Sequence, residues 1–105
     1  MARGTVTPIN KDSQNLTEFE ERTVSIRGSE FTIRELSAEE YDTCLKSATK
    51  ADGDVDMVLL LRLMTLKSLQ APKMSAEEIS KLPYRISRRL GSAVNELHFG
   101  DDEED

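Results

Sequence analysis

The chain has 105 residues, of which 37% are hydrophobic and 32% are charged, a composition typical of one small soluble domain. A single cysteine excludes an internal disulfide, and residues 1–15 lack the apolar core of a secretory signal, so we expect a cytosolic protein. The net charge is −6, but the last five residues, DDEED, carry five of the negative charges, which leaves −1 for residues 1–100.

The two ends of the chain differ from its middle. Residues 1–18 are polar and show no sustained apolar period, which predicts a disordered N-terminal arm. Residues 100–105 predict an acidic disordered tail. Between them we expect a single domain at 19–99.

The domain begins with a predicted β-hairpin at 22–34. Two alternating runs flank Gly28 and Ser29, and glycine at the first central position favours a type II′ turn because that position needs a positive φ. In that register the apolar side chains share one face, with Ile26 opposite Phe31 and Val24 opposite Ile33.

A first helix is predicted at about 38–50. Ser37 and Glu40 have the spacing of a capping box, and Leu36 and Tyr41 occupy the positions of a hydrophobic staple. These local signals fix where the helix begins.

A second helix is predicted at about 55–69, with Asp54 as its N-cap. Its apolar residues occupy almost the whole circumference, so the helix must be covered on all sides. We expect it either to be the central helix of the domain or to pack partly against another subunit. Its apolar block is half the length of a membrane span and contains Arg62, so we expect no membrane segment.

The C-terminal segment repeats the capping device and then breaks. Ser75 and Glu78 form a second capping box, and Pro83 lacks the N–H that a continuous helix requires. We therefore expect a short helix at about 76–81, a bend, and a longer helix at about 83–97. The whole chain predicts an α+β fold, mainly helical, in which an N-terminal hairpin precedes three to four helices.

Residues able to carry catalysis are sparse. Cys44 lies on an apolar helix stripe and is predicted to be a core residue, and His98 is predicted to favour the dipole at a helix C-terminus. Residues 52–56, DGDVD, resemble the opening of a calcium loop, but Met57 and Leu63 stand where glycine and glutamate are needed. We expect no enzyme, no metal and no cofactor.

The arginines of the last helix allow a nucleic-acid hypothesis. Arg85, Arg88 and Arg89 follow a bend, as in a helix-turn-helix protein with a basic recognition helix. The acidic balance of the chain opposes the approach of phosphates, and a solvated arginine face explains the same residues. We do not expect nucleic acid as the partner, although a small DNA-binding regulator remains the alternative function.

Two passages resemble the tail assembly chaperones of long-tailed bacteriophages. They are FTIRELSAEE, at 31–40, and the S-x-E-E-I-x-x-L-P pattern at 75–83, followed by an amphipathic helix. With the order of the elements, the resemblance covers roughly residues 22–97. It implies a non-enzymatic protein of the host cytoplasm that binds the tape measure protein, helps to recruit tail tube protein, and is not expected in the mature virion.

A protein that holds long apolar helices needs exposed apolar side chains, and flexible methionine and leucine side chains adapt to varied partners. From the second and last helices we predict these partner-binding residues: Met57, Leu60, Leu61, Met64, Ile86, Leu90 and Val94. The opposing interpretation is that all seven form the core. Self-association as a dimer or ring, and a structural tail or connector protein, are further hypotheses.

Overall fold

The computed structural model describes residues 18–100, which form an α+β fold of three strands and four helices. The predicted fold class, mainly helical with an N-terminal hairpin, is confirmed. Residues 1–17 of the predicted arm and 101–105 of the predicted tail lie outside the described residues.

Strands β1 (Glu21–Ile26) and β2 (Ser29–Arg34) form the hairpin. Its two central turn residues are Arg27 and Gly28, with φ values of 54° and 82°. A two-residue turn in which both central residues have positive φ is of type I′. The predicted type II′ turn at Gly28 and Ser29 is therefore wrong.

The register of the hairpin differs from the prediction as well. Val24 lies opposite Phe31, and Ile26 lies opposite Ser29. One strand is displaced by two residues from the predicted pairing, and an even displacement keeps every side chain on its predicted face. Ile26, Phe31 and Ile33 are accordingly buried.

A third strand, β3 (Leu69–Ala71), pairs antiparallel with β2 and completes the sheet in the order β1, β2, β3. Leu69 was predicted to end a helix, and this strand was not predicted. A proline disfavours helical dihedrals at the residue before it. Because Pro72 follows Ala71, the chain is extended here.

Helix α1 (Ala38–Ala48) begins with the predicted capping box. The Glu40 N–H donates to Ser37 Oγ at 3.0 Å, and the Ser37 N–H donates to Glu40 Oε1 at 2.9 Å. The helix ends two residues earlier than predicted because Thr49 pairs with Val55 in an isolated antiparallel bridge.

Helix α2 (Met57–Ser68) starts two residues later than predicted. Asp56, and not Asp54, is its N-cap, since its carboxylate accepts the Leu59 N–H at 3.1 Å. Val55 is held by the bridge to Thr49, so helical dihedrals can begin only after it.

Helices α3 (Ala76–Ser80) and α4 (Tyr84–Phe99) confirm the predicted bend at Pro83. Ser75 and Glu78 form the second capping box. Pro83 itself occupies the N-cap position of α4, one residue before the helix, where its missing N–H costs nothing.

The core lies between the inner face of the sheet and helices α1, α2 and α4. Its buried residues are Ile26, Phe31, Ile33, Leu36, Cys44, Ala48, Leu60, Met64, Leu69, Leu90, Val94 and Leu97. Helix α3 contributes no buried residue, and Ile79 only partly packs against this core.

Candidate functional site

The first turn of α2 exposes three consecutive apolar side chains. Met57 is 65% exposed, Val58 is 64% exposed and Leu59 is 37% exposed. We call these three residues the apolar edge. Because successive residues of a helix differ by about 100° in direction, the edge faces more than one side of α2.

Two hydrogen bonds of Asp56 hold the backbone at the start of the apolar edge. The Asp56 N–H donates to Ala48 O at 2.8 Å, and the Asp56 carboxylate caps α2 through the Leu59 N–H. The edge is thus presented by an anchored helix terminus and does not depend on a loop conformation.

The seven predicted partner-binding residues divide into three groups. Leu60, Met64, Leu90 and Val94 are 3% exposed or less and belong to the core, so a partner could contact them only if the domain opened. Leu61 and Ile86 are half-buried, and Met57 is exposed.

Val58 and Leu59 are exposed but were not among the residues predicted to bind a partner. The signal was present, because a helix that is apolar all round needs cover on every side, and a small domain has few elements to supply that cover. Which side is uncovered depends on where α1 and α4 pack, and the apolar pattern of α2 does not encode that choice.

Gly91 sets how closely α4 approaches α2. A Cβ atom at this position would lie 3.4 Å from Leu61 Cδ2 and 3.9 Å from Thr65 Oγ1. The close approach explains why Leu61 is half-buried although it lies on the same helix as the apolar edge.

A cleft of about 620 Å³ lies between the tip of the hairpin and α4. Four arginines line it together with two other residues, and we call it the arginine cleft; its lining consists of Ile26, Arg27, Arg85, Arg88, Arg89 and Ser92. The arginines of α4 were predicted to form a solvated face, with a basic recognition helix as the alternative, and Arg27 was not associated with them. The association depends on the packing of β1 against α4, which local sequence does not report.

The arginines of the cleft are not neutralised by neighbouring acids. Within residues 18–100, the ion pairs of the domain join other side chains, including Arg34 with Glu40 at 3.1 Å and Lys81 with Glu77 at 3.3 Å. None of the four cleft arginines forms an ion pair with a described residue, and no acidic residue within 18–100 lines the cleft. The cleft therefore suits an anionic ligand.

His98 connects α4 to the segment before α1. Its Nε2 accepts the Leu36 N–H at 2.9 Å, and its Nδ1 lies 2.8 Å from Val94 O, to which the Nδ1–H tautomer donates. His98 lies in the last turn of α4, where it was predicted, and the Leu36 N–H joins its ring to the segment before α1.

Cys44 is 2% exposed, so its prediction as a core residue is confirmed. Burial raises the pKa of the Cys44 thiol, an effect that nearby Lys67 opposes and Glu40 reinforces. A thiol that is buried and protonated is a poor nucleophile.

The acids at 52–56 accept backbone hydrogen bonds in the loop before α2 and at the start of that helix. Asp52 Oδ1 accepts the Asp54 N–H at 2.9 Å, and Asp56 caps α2. Among residues 18–100, no group of three His, Cys, Asp or Glu side chains is arranged to hold a metal ion.

None of the helices in the described part of the chain has the length and apolar character needed to cross a membrane. Comparison of the sequence with protein-family models and with curated proteins, and of the fold with solved structures, found no match.

Proposed function

We propose that the protein is a tail assembly chaperone of a long-tailed bacteriophage. In this role it binds the tape measure protein in the host cytoplasm, assists the assembly of tail tube protein around it, and leaves before the virion is complete. The support is the resemblance carried by FTIRELSAEE at 31–40 and by the S-x-E-E-I-x-x-L-P pattern at 75–83, together with the exposed apolar edge.

The apolar edge is the observation that carries the proposal. A chaperone for long amphipathic helices must offer apolar surface that its own fold does not cover. Met57 and Val58 keep about two thirds of their surface in water, and burying apolar surface against a client gains roughly 25 cal/mol per Å².

The small size of the edge fits a client that must later be released. Stable protein interfaces bury roughly 1,200–2,000 Å², far more than three side chains can supply. An edge of this size gives weak, reversible contacts at each site. A long client with many apolar stretches could then bind several copies of the protein and lose them as tube subunits take their place.

Co-expression with the tape measure protein tests the proposal. We expect the wild-type chain to raise the soluble fraction of the tape measure protein and to co-purify with it. The double variant Met57→Gln, Val58→Thr replaces exposed apolar side chains with polar ones of similar size, so it should fold normally and lose most of this effect.

The matched control is Tyr84→Ser, which removes a larger apolar side chain that is 76% exposed at the start of α4. It should behave as the wild type does. Co-purification that is equal for the wild type and the double variant would contradict the role of the edge. Detection of the chain in purified virions would favour a structural tail or connector protein instead.

A further inference from the structure

The arginine cleft is a second surface, separate from the apolar edge and independent of the chaperone proposal. It brings one arginine of the hairpin turn, Arg27, beside three arginines of α4 over the buried side chain of Ile26. Four like charges that share one cleft repel one another, and this repulsion costs free energy unless an anion is bound between them.

The start of α4 adds to the positive potential of the cleft. Helix α4 has no side-chain cap, and its first intrahelical donors are the N–H groups of Ile86 and Ser87, which bond to Pro83 O. The N-terminal end of a helix carries a partial positive charge, and Arg85 lies within this first turn.

The sequence contains an anion of matching charge. Residues 101–105, DDEED, are five consecutive acids, and a guanidinium group pairs with a carboxylate through two parallel hydrogen bonds. We propose that the arginine cleft binds the acidic run 101–105 of a second copy of the chain.

The reach of the chain favours a second copy over the same one. The last described residue, Gly100, follows the end of α4 that lies farthest from the cleft, and its dihedrals, φ −77° and ψ −21°, are helical and form no reverse turn. Five extended residues span at most about 18 Å. At 1.5 Å per residue, Arg89, Arg88 and Arg85 lie about 16, 18 and 22 Å back along α4 from Gly100, so only the last acids of the run could meet the cleft of their own chain, whereas all five acids of a second copy can approach it.

Exchange between two copies satisfies both clefts at once. Each protomer contributes one cleft and one acidic run, which gives two equivalent contacts related by a twofold axis. Since these contacts are between exposed charges, they weaken as salt rises, whereas an association through the apolar edge would persist.

Sedimentation velocity of the full chain over a range of protein concentrations tests the proposal. We expect a dimer at about 0.01 M salt that dissociates at about 1 M salt, where the screening length falls from roughly 30 Å to roughly 3 Å. Two variants should each weaken self-association about tenfold or more at low salt, the sum expected for several exposed charge pairs. One neutralises the acids (D101N, D102N, E103Q, E104Q, D105N), and the other neutralises the cleft (R85Q, R88Q, R89Q).

A matched control removes three positive charges elsewhere, at exposed positions (K50Q, R62Q, K73Q), and should dimerise better than the cleft variant of equal net charge. The acid variant provides a second control for overall charge. Its net charge is smaller than that of the wild type, so it would associate more strongly if repulsion between whole molecules were the only effect. Mixing the acid variant with the cleft variant should restore association in part, since the acids of the cleft variant fit the cleft of the acid variant and form one of the two contacts of the wild-type dimer.

Three results would overturn the proposal. The first is a monomer at every concentration in low salt. The second is a mixture of the two variants that associates no better than either variant alone. The third is a shift of duplex DNA that is lost in the cleft variant and kept in the acid variant, which would assign the cleft to nucleic acid.

Discussion

At the scale of single residues, Glu40 combines two stabilising roles. Its carboxylate accepts the Ser37 N–H within the capping box and pairs with the Arg34 guanidinium at 3.1 Å. The hydrogen bond from the Ser37 backbone lowers the pKa of Glu40 from its ordinary value of 4.5; partial burial opposes this effect, and Arg34 reinforces it.

The lowered pKa of Glu40 predicts a specific dependence of stability on pH. A carboxyl whose pKa is lower in the folded state stabilises the fold above its unfolded pKa, and this contribution disappears as the pH falls through the folded pKa. Glu40→Gln should therefore lower the free energy of unfolding by roughly 0.5–1 kcal/mol at pH 7, and by progressively less below pH 4.5.

Urea unfolding of both proteins at several pH values measures this difference. Glu77→Gln provides the control, since its ion pair with Lys81 joins two side chains that are more than 70% exposed. A Glu40→Gln effect that stayed constant down to the most acidic pH would show that the charge of Glu40 contributes nothing.

At the scale of elements, the sequence predicted best what short segments decide. Both capping boxes and the bend at Pro83 depend on residues within a few positions of one another, and the structure confirms them. The even spacing of apolar residues also predicted the buried face of the hairpin.

The elements that the sequence did not predict depend on distant contacts. Strand β3 has three residues, too few for a period, and forms because β2 offers a free edge beside the end of α2. The hairpin register required a choice between two turns that both contain Gly28, and the one-sided apolar pattern suits either. The arginine cleft, likewise, joins residues from opposite ends of the domain.

Gly91 tests the packing of α2 against α4. Glycine within a helix is less stable than alanine by roughly 0.5–1 kcal/mol, and the new Cβ would meet Leu61 at 3.4 Å, an ordinary contact distance. Gly91→Ala should therefore raise the free energy of unfolding by up to about 1 kcal/mol.

Gly91→Val is the companion variant, because its extra methyl groups would crowd Leu61 and Thr65. Overpacking of this kind costs roughly 1–3 kcal/mol. Thermal unfolding followed by circular dichroism measures both variants. A loss of stability in Gly91→Ala would mean that the helices cannot accommodate even one methyl group.

At the scale of the whole molecule, the domain has a closed core and two different outer surfaces. The apolar edge lies at the first turn of α2, and the arginine cleft lies between the hairpin turn and α4. Four of the predicted partner-binding residues are instead part of the core that these elements share. The chaperone proposal thus has two forms, one in which the client contacts only the edge and one in which the domain opens to it.

Cys44 distinguishes these two forms because it is the single cysteine of the chain and lies in the same core as Leu60 and Val94. Burial, together with the raised pKa of its thiol, should slow its reaction with a thiol reagent by roughly a thousandfold or more relative to the unfolded chain, since reaction requires opening.

If the client contacts only the apolar edge, adding the tape measure protein should leave this rate unchanged or lower it. A faster reaction in the complex would mean that the client opens the core and that Leu60, Met64, Leu90 and Val94 bind it after all. The Met57→Gln, Val58→Thr variant supplies the control, since its free protein should react at the wild-type rate and show no response to the client.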